Sequence, residues 1–283
     1  MTDIKGLGSG EFQIEGTTDK PEVSGKLSLF KSSFIVNYLQ TRYYTTNSIK
    51  LENNNILFEY LEIFDEKGNS AIANGSVTTD YFKNMYLDLR LATNNFQFMN
   101  TTEKDNDMFF GNIHAGGTIR LNGAADNLNL NISATTKRNS IFYIPLYGSE
   151  EVMESDFIVF KESDNMDIDE KEQKKYEVDL RGLNMNFTLD VTPDAEVQLI
   201  FDPKIGDILK GRGTGNLLIS IDPAGRFEIN GDYTIQEGDY LFTLQNVINK
   251  RFEVKQGGKI VWSGEPGDAD IDLQAVYPLK TSV

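Results

Sequence analysis

Residues 227–277 read FEINGDYTIQEGDYLFTLQNVINKRFEVKQGGKIVWSGEPGDADIDLQAVY. Apolar and polar positions alternate through almost all of it. Phe227 and Ile229 are followed by Tyr240, Phe242 and Leu244, then by Phe252 and Val254, then by Ile260 and Trp262. The run ends on Ala269, Ile271, Leu273, Ala275 and Tyr277. Side chains two apart share one face of a strand, so the stretch predicts short strands with one apolar face and one wetted face. Asn230-Gly231-Asp232, Glu237-Gly238-Asp239, Gly257-Gly258 and Gly264-Glu265-Pro266-Gly267-Asp268 are turn formers and predict the turns between them.

The same alternation runs outward through the chain. Val23, Gly25, Leu27 and Leu29 show it, as do Ile56 and Phe58, and Leu87, Leu89 and Leu91. Leu128, Leu130 and Ile132 follow, then Met185, Phe187, Leu189 and Val191, then Val197, Leu199 and Phe201, then Leu217, Ile219 and Ile221. Strict alternation implies antiparallel strands wetted on one side. Gly6-Leu7-Gly8-Ser9-Gly10, Gly116-Gly117 and Gly211-Arg212-Gly213-Thr214-Gly215 each lead into such a run, as a weak repeat spaced by roughly 100 residues. It suggests an elongated, stacked architecture. Residues 161–175 (KESDNMDIDEKEQKK) break the pattern and read as a solvated acidic insert. The insert separates an N-terminal section, residues 1–160, from a C-terminal section, residues 176–283.

Composition narrows the function. There are 283 residues, and 39% of them are hydrophobic, enough for a large core. There is no cysteine, so disulfides and thiolate sites are excluded, and the single histidine, His114, excludes a multi-histidine metal site. A formal charge of −16 argues against nucleic acid as a partner and against anionic headgroup surfaces. No apolar run reaches the roughly 18 residues of a membrane-spanning helix. Neither Met1-Thr2-Asp3-Ile4-Lys5 nor the end at Val283 reads as a natural terminus; both are expected to be cuts in a longer chain.

Catalytic and metal motifs are not found. Gly6-x-Gly-x-Gly and Gly211-x-Gly-x-Gly do not fit the dinucleotide fingerprint and precede no amphipathic helix, so they read as glycines easing bends at strand starts. Asp164, Asp167, Asp169 and Glu170 lack the glycine of a calcium loop. Asp105-Asn106-Asp107 reads as a polar turn, His114 as an outward strand residue, and Trp262 as core or groove lining. With 43 acidic residues, no single carboxylate pair stands out for glycoside hydrolysis.

An antiparallel sheet must cover its apolar face with a second sheet, with itself as a barrel, or with a ligand. Alternation alone leaves these open. GDYTIQEGDYLFTL (231–244) and KRFEVKQGGKIVWSGEPGDADIDLQAVY (250–277) resemble the C-terminal domain family of TamB, the translocation and assembly module subunit. The glycine–aromatic cadence Gly231, Tyr233, Gly238, Tyr240, Phe242 carries part of the likeness. Phe252 before Gly257-Gly258, then Ile260, Trp262, Gly264 and Pro266, is the more specific part. The acidic insert and the aromatic run near Tyr43-Tyr44 fall outside the motif and point to a divergent, Bacteroidota-like branch.

The resemblance implies an all-β fold: an elongated, curled antiparallel sheet forming an apolar gutter, a β-taco. It implies a periplasmic location, an inner-membrane anchor helix absent from this chain, and engagement of a TamA- or BamA-type outer-membrane barrel. It further implies carriage of phospholipid acyl chains between membranes, with no cofactor. The candidate groove residues are Leu27, Leu29, Leu87, Leu89, Leu91, Leu130, Ile132, Phe187, Leu189, Leu199, Ile219, Phe242 and Ile260. The competing readings are a structural or adhesive β-solenoid or sandwich with a closed core, and a carbohydrate-active β enzyme.

Overall fold

The computed structural model describes residues 1–81, 83–147, 182–202, 206–244 and 248–278. Eighteen strands form one sheet. They are β1 Thr2–Gly16, β2 Pro21–Val36, β3 Thr41–Thr45, β4 Ser48–Glu52, β5 Asn55–Phe64, β6 Ser70–Asp80, β7 Asn84–Thr101, β8 Phe110–Ala124 and β9 Asn127–Thr136. After them come β10 Ser140–Pro145, β11 Leu183–Val191, β12 Ala195–Asp202, β13 Asp207–Ile221, β14 Phe227–Leu244, β15 Ile248–Val254, β16 Lys259–Gly264, β17 Asp270–Asp272 and β18 Ala275–Val276. Successive rungs of the sheet pair antiparallel as a meander, with one exception. β9 pairs with β11 and β10 with β12 in parallel. Parallel neighbours need a long return connection, and the segment between Pro145 and Leu183 supplies it. Most of that segment lies outside the described residues, including the acidic stretch 161–175 and the apolar stretch 157–160.

Several strands are halves of one broken rung. β9 and β10 lie end to end along β8, as β11 and β12 do along β13, and β15 and β16 along β14. From β7 onward the breaks line up. The bulge of β7 near Phe96, the gap 137–139, the gap 192–194, the register shift at Arg212/Gly213 and the gap 255–258 stand beside one another. This line is a crease across the sheet, and at it the sheet folds.

The folding is measurable. Phe110, Tyr143, Gln198, Lys210 and Asp239 stand side by side across β8, β10, β12, β13 and β14. In a flat sheet Phe109 would therefore lie four strand steps, about 19 Å, from β14, and about 40 Å along it from Phe227. Their ring centroids are 5.4 Å apart. The helical turn Pro266–Asp268, beyond β16, likewise returns to the end of β10: a Cβ on Gly267 would lie 3.1 Å from the Leu146 oxygen. The ribbon is thus curled diagonally, and from β8 to β17 it closes on itself.

Two expectations change here. Asn230-Gly231-Asp232 and Glu237-Gly238-Asp239 are not turns, because β14 runs through both. Their glycines serve close approach: a Cβ on Gly231, at φ +131°, would meet Asn216 O at 2.1 Å, and one on Gly238 would meet Lys210 O at 2.4 Å. The glycines at 211–215 are likewise not at a strand start. They sit mid-β13 where the crease crosses, and a Cβ on Gly213 would lie 2.0 Å from Thr234 O. Gly213→Ala is therefore expected to cost about 1–3 kcal/mol, because backbone must move to admit the methyl. A urea midpoint measured by circular dichroism checks this; an unchanged midpoint would mean that the crease yields freely.

Candidate functional site: the apolar inner face

Side chains of residues directly paired across strands share a face. Leu27 pairs with Ile49, Leu51 with Ile56, and Ile56 with Val77. Val77 pairs with Leu87, Leu89 with Leu121, and Leu91 with Ile119. Leu121 and Ile119 pair with Leu130 and Ile132, which stand beside Met185 and Phe187. Phe187 and Leu189 then meet Ile219 and Leu217, and Ile219 meets Ile229. On the other side of the crease Leu199 pairs with Leu209, Leu209 with Tyr240, and Tyr240 with Phe252. These pairings place ten of the thirteen sequence-derived positions on one face; of the others, Leu29 pairs with Gly8, Phe242 with Lys250 and Ile260 with Tyr233.

Past the crease the opposite face also carries Ile200, Ile208 and Leu241, while on the Leu89 side of the crease it is largely polar. Asp88 and Arg120 form an ion pair there, and the Asn186 side-chain amide donates to Asn131 Oδ1 at 3.4 Å. Hydrocarbon on one side and water on the other is the condition under which alternation persists even between the parallel neighbours β9 and β11.

Burial divides the inner face in two. Leu27, Leu29, Leu87, Leu89, Leu91, Leu130 and Ile132 are half-buried, with Ile49, Leu51, Ile56, Phe58 and Val77 in the same condition. Phe187, Leu189 and Phe242 are half-buried too, but Phe187 and Leu189 already pack against the core. Leu199, Ile219 and Ile260 are 1%, 5% and 1% exposed and belong to that core, with Tyr233, Ile229 and Trp262. A second cluster, Met99, Phe109, Met185 and Ile221, joins opposite ends of the rungs through Phe109 and Phe227. The face is therefore an open trough from β2 to β9, apart from a packed cluster of Tyr43, Ala71 and Phe96 against which Leu91 rests, and a packed chamber beyond, whose near cluster Leu130 touches.

His114 alternates with the inner residues Ile113 and Ala115 and so stands on the outward face, but it is not exposed there. It is 2% exposed, opposite Gln97 at the β7 bulge. Burial, and then the Lys67 ammonium 3.1 Å from its Nε2, lower its pKa, so the ring is neutral. Beside it Asp65, 2% exposed, accepts hydrogen bonds from the backbone N–H groups of Lys67, Asn69 and Gln97 and from the Asn69 amide. Burial alone would raise the Asp65 pKa; the hydrogen bonds outweigh it and hold the carboxyl below its ordinary 3.8. The Gln97 bond satisfies an N–H that the bulge takes out of the ladder, so Asp65 pins the crease. The sequence does not reveal this cluster, because Asp65-Glu66-Lys67-Gly68-Asn69 reads only as a turn. A depressed folded-state pKa means that the stabilisation is complete above the unfolded value and disappears as pH falls through the folded one. Asp65→Asn is expected to lower stability at pH 7 and to flatten the acid side of the stability–pH curve; parallel curves for the two proteins would rule this role out.

Asp105 accepts from the Thr102 N–H and hydroxyl, closing a polar turn. Among the described residues no cluster of His, Asp and Glu is placed to hold a metal ion. No helix there is long and apolar enough to cross a membrane.

The profile of the TamB C-terminal domain family matches residues 59–282. The chain belongs to the TamB C-terminal domain family. The match extends far upstream of residues 231–277, where the sequence motifs lie, and takes in most of the curled sheet. TamB-type proteins serve outer-membrane assembly or lipid transport and are not enzymes. No curated protein and no solved structure matches the chain.

Proposed function

We propose that this TamB-type chain is a section of a periplasmic, bridge-like lipid-transfer protein that moves phospholipid between the inner and outer membranes and so supports outer-membrane biogenesis. In the full-length protein a helix outside this segment anchors it in the inner membrane, and a TamA- or BamA-type barrel receives it at the outer membrane. The observation that carries this reading is the trough: an apolar face, partly exposed along β2 to β9, backed there by a largely polar face. Leu27, Leu29, Leu87, Leu89, Leu91, Leu130 and Ile132 are the positions that touch acyl chains.

The energetics suit a conduit. Removing a sixteen-carbon chain from water is worth on the order of 12 kcal/mol, and a bilayer offers the same gain. A hydrocarbon-lined trough makes the exchange nearly balanced and removes the cost of crossing water. No catalytic group is required. Headgroups stay at the open side, where a net charge of −16 disfavours anionic ones.

Native mass spectrometry of the protein purified from a Gram-negative host, with lipid extraction of the same sample, tests the proposal. Bound phospholipid is the expected result. A clean apo mass, with no uptake of added phospholipid by folded protein, would leave the closed structural reading in its place.

A further inference from the structure

The trough does not continue through the chain. Among the largest side chains with essentially no exposed surface, only Phe96 comes from before Ile144. The others occupy the region where the ribbon closes, between β10 and β16. At the boundary Phe109 packs on Phe227, and Phe142 lies 5.9 Å from Phe109. Phe109 and Phe227 belong to opposite ends of the rungs, so their contact bridges the curled sheet. Behind them the Tyr233 hydroxyl donates to Gly211 O at 2.9 Å, and Gly267 closes on Leu146. Among the described residues the buried Trp262 indole N–H has no hydrogen-bond partner, and Ile229, Tyr233 and Ile260 in the same cluster are at most 1% exposed.

We infer that phospholipid occupies only the open trough and that the Phe109–Phe227 contact is a dry stop, so the acyl path ends blind and cargo leaves sideways over the rim of the trough. This rests on the lipid-carrier reading given above. An acyl chain going further would have to separate rings and aliphatic side chains that now exclude solvent from one another. The rim of the trough asks for no such separation, because its side chains are only partly buried. The closed chamber then serves a different purpose, which is to hold the end of the ribbon rigid.

Trp262 is the one tryptophan of the chain and lies inside the chamber, so it reports directly. Phospholipid with brominated acyl chains, which quench indole on contact, is the probe. The wild-type protein is compared with Leu89→Trp in a Trp262→Phe background, and with Leu121→Trp in that background should the first fold poorly. The expected result is that the trough reporter loses most of its emission while Trp262 keeps its intensity and blue-shifted maximum. Equal quenching of both would overturn the stop and leave the carrier reading standing. Quenching of neither, with no lipid retained, would overturn both. As a gain of access, Phe109→Ala is expected to make Trp262 quenchable; continued protection of Trp262 in that folded variant would show that Phe109 is not the barrier.

Discussion

Leu89→Asp should leave the protein folded and strip it of lipid, whereas Leu199→Asp should prevent it from folding. Both leucines occupy the same face of the sheet, and in the sequence they are indistinguishable. Leu89 is only partly buried between Gly75 and Leu121, so a carboxylate there can reach water and costs on the order of 1 kcal/mol. It still places a charge where an acyl chain would lie, and a charge in hydrocarbon is expensive enough to exclude the chain. Leu199 is 1% exposed between Ile144 and Leu209. Truncating a buried leucine costs about 2–5 kcal/mol, and an unpaired buried charge adds several more. That sum approaches the roughly 5–15 kcal/mol that holds a whole domain folded. Lipid content by extraction, and the urea midpoint of each variant, are the measurements. A Leu89→Asp protein that folds and retains wild-type lipid would remove Leu89 from the acyl path. A Leu199→Asp protein as stable as wild type would show that the chamber is not packed as described.

The same contrast explains how one sheet serves two purposes. In the trough, strands expose hydrocarbon and depend on backbone pairing and on a polar outer face for their standing. Past the Phe109–Phe227 contact, the sheet covers its own apolar face and supplies the larger core, since the trough section has only the small cluster of Tyr43, Ala71 and Phe96. A conduit open along its whole length would have no such core. The crease is the device that permits both, because strands broken in register can fold where their neighbours also break.

Much of this was legible in the alternation. Leu87, Leu89 and Leu91 announce a strand with one apolar face, and the curled β-gutter follows from the same pattern together with the motif at 231–277. Three things were not legible, each for a physical reason. Alternation is silent on how the sheet curls, so the contact of Phe109 with Phe227, 118 positions apart, leaves no local trace. Glycine signals a turn and a close approach with the same letter; Gly231 and Gly238 look like hairpin residues and instead keep two long strands in contact. His114 and Asp65 belong to a bulge and a turn, and only the pairing of Gln97 with His114 brings them together. The parallel step at β9–β11 was hidden for a similar reason, since a half-covered parallel strand alternates as an antiparallel one does.

Trp262→Ala is expected to destabilise the protein by about 3–5 kcal/mol, among the largest effects of any single truncation in the chain. Trp262 pairs with Gly231 across β14 and β16 and belongs to the main buried cluster. Around it, Ile229, Tyr233 and Ile260 are each at most 1% exposed, so little can move in to fill the void. The indole N–H has no partner to lose, so the penalty is one of volume and not of a hydrogen bond. Trp262→Phe, which keeps most of the ring, should then cost far less, and the difference between the two variants measures the packing of the chamber itself. Equilibrium unfolding by far-ultraviolet circular dichroism gives both values. Equal small losses for the two would mean that the chamber collapses readily around a void, and a chamber that soft could not stop an acyl chain.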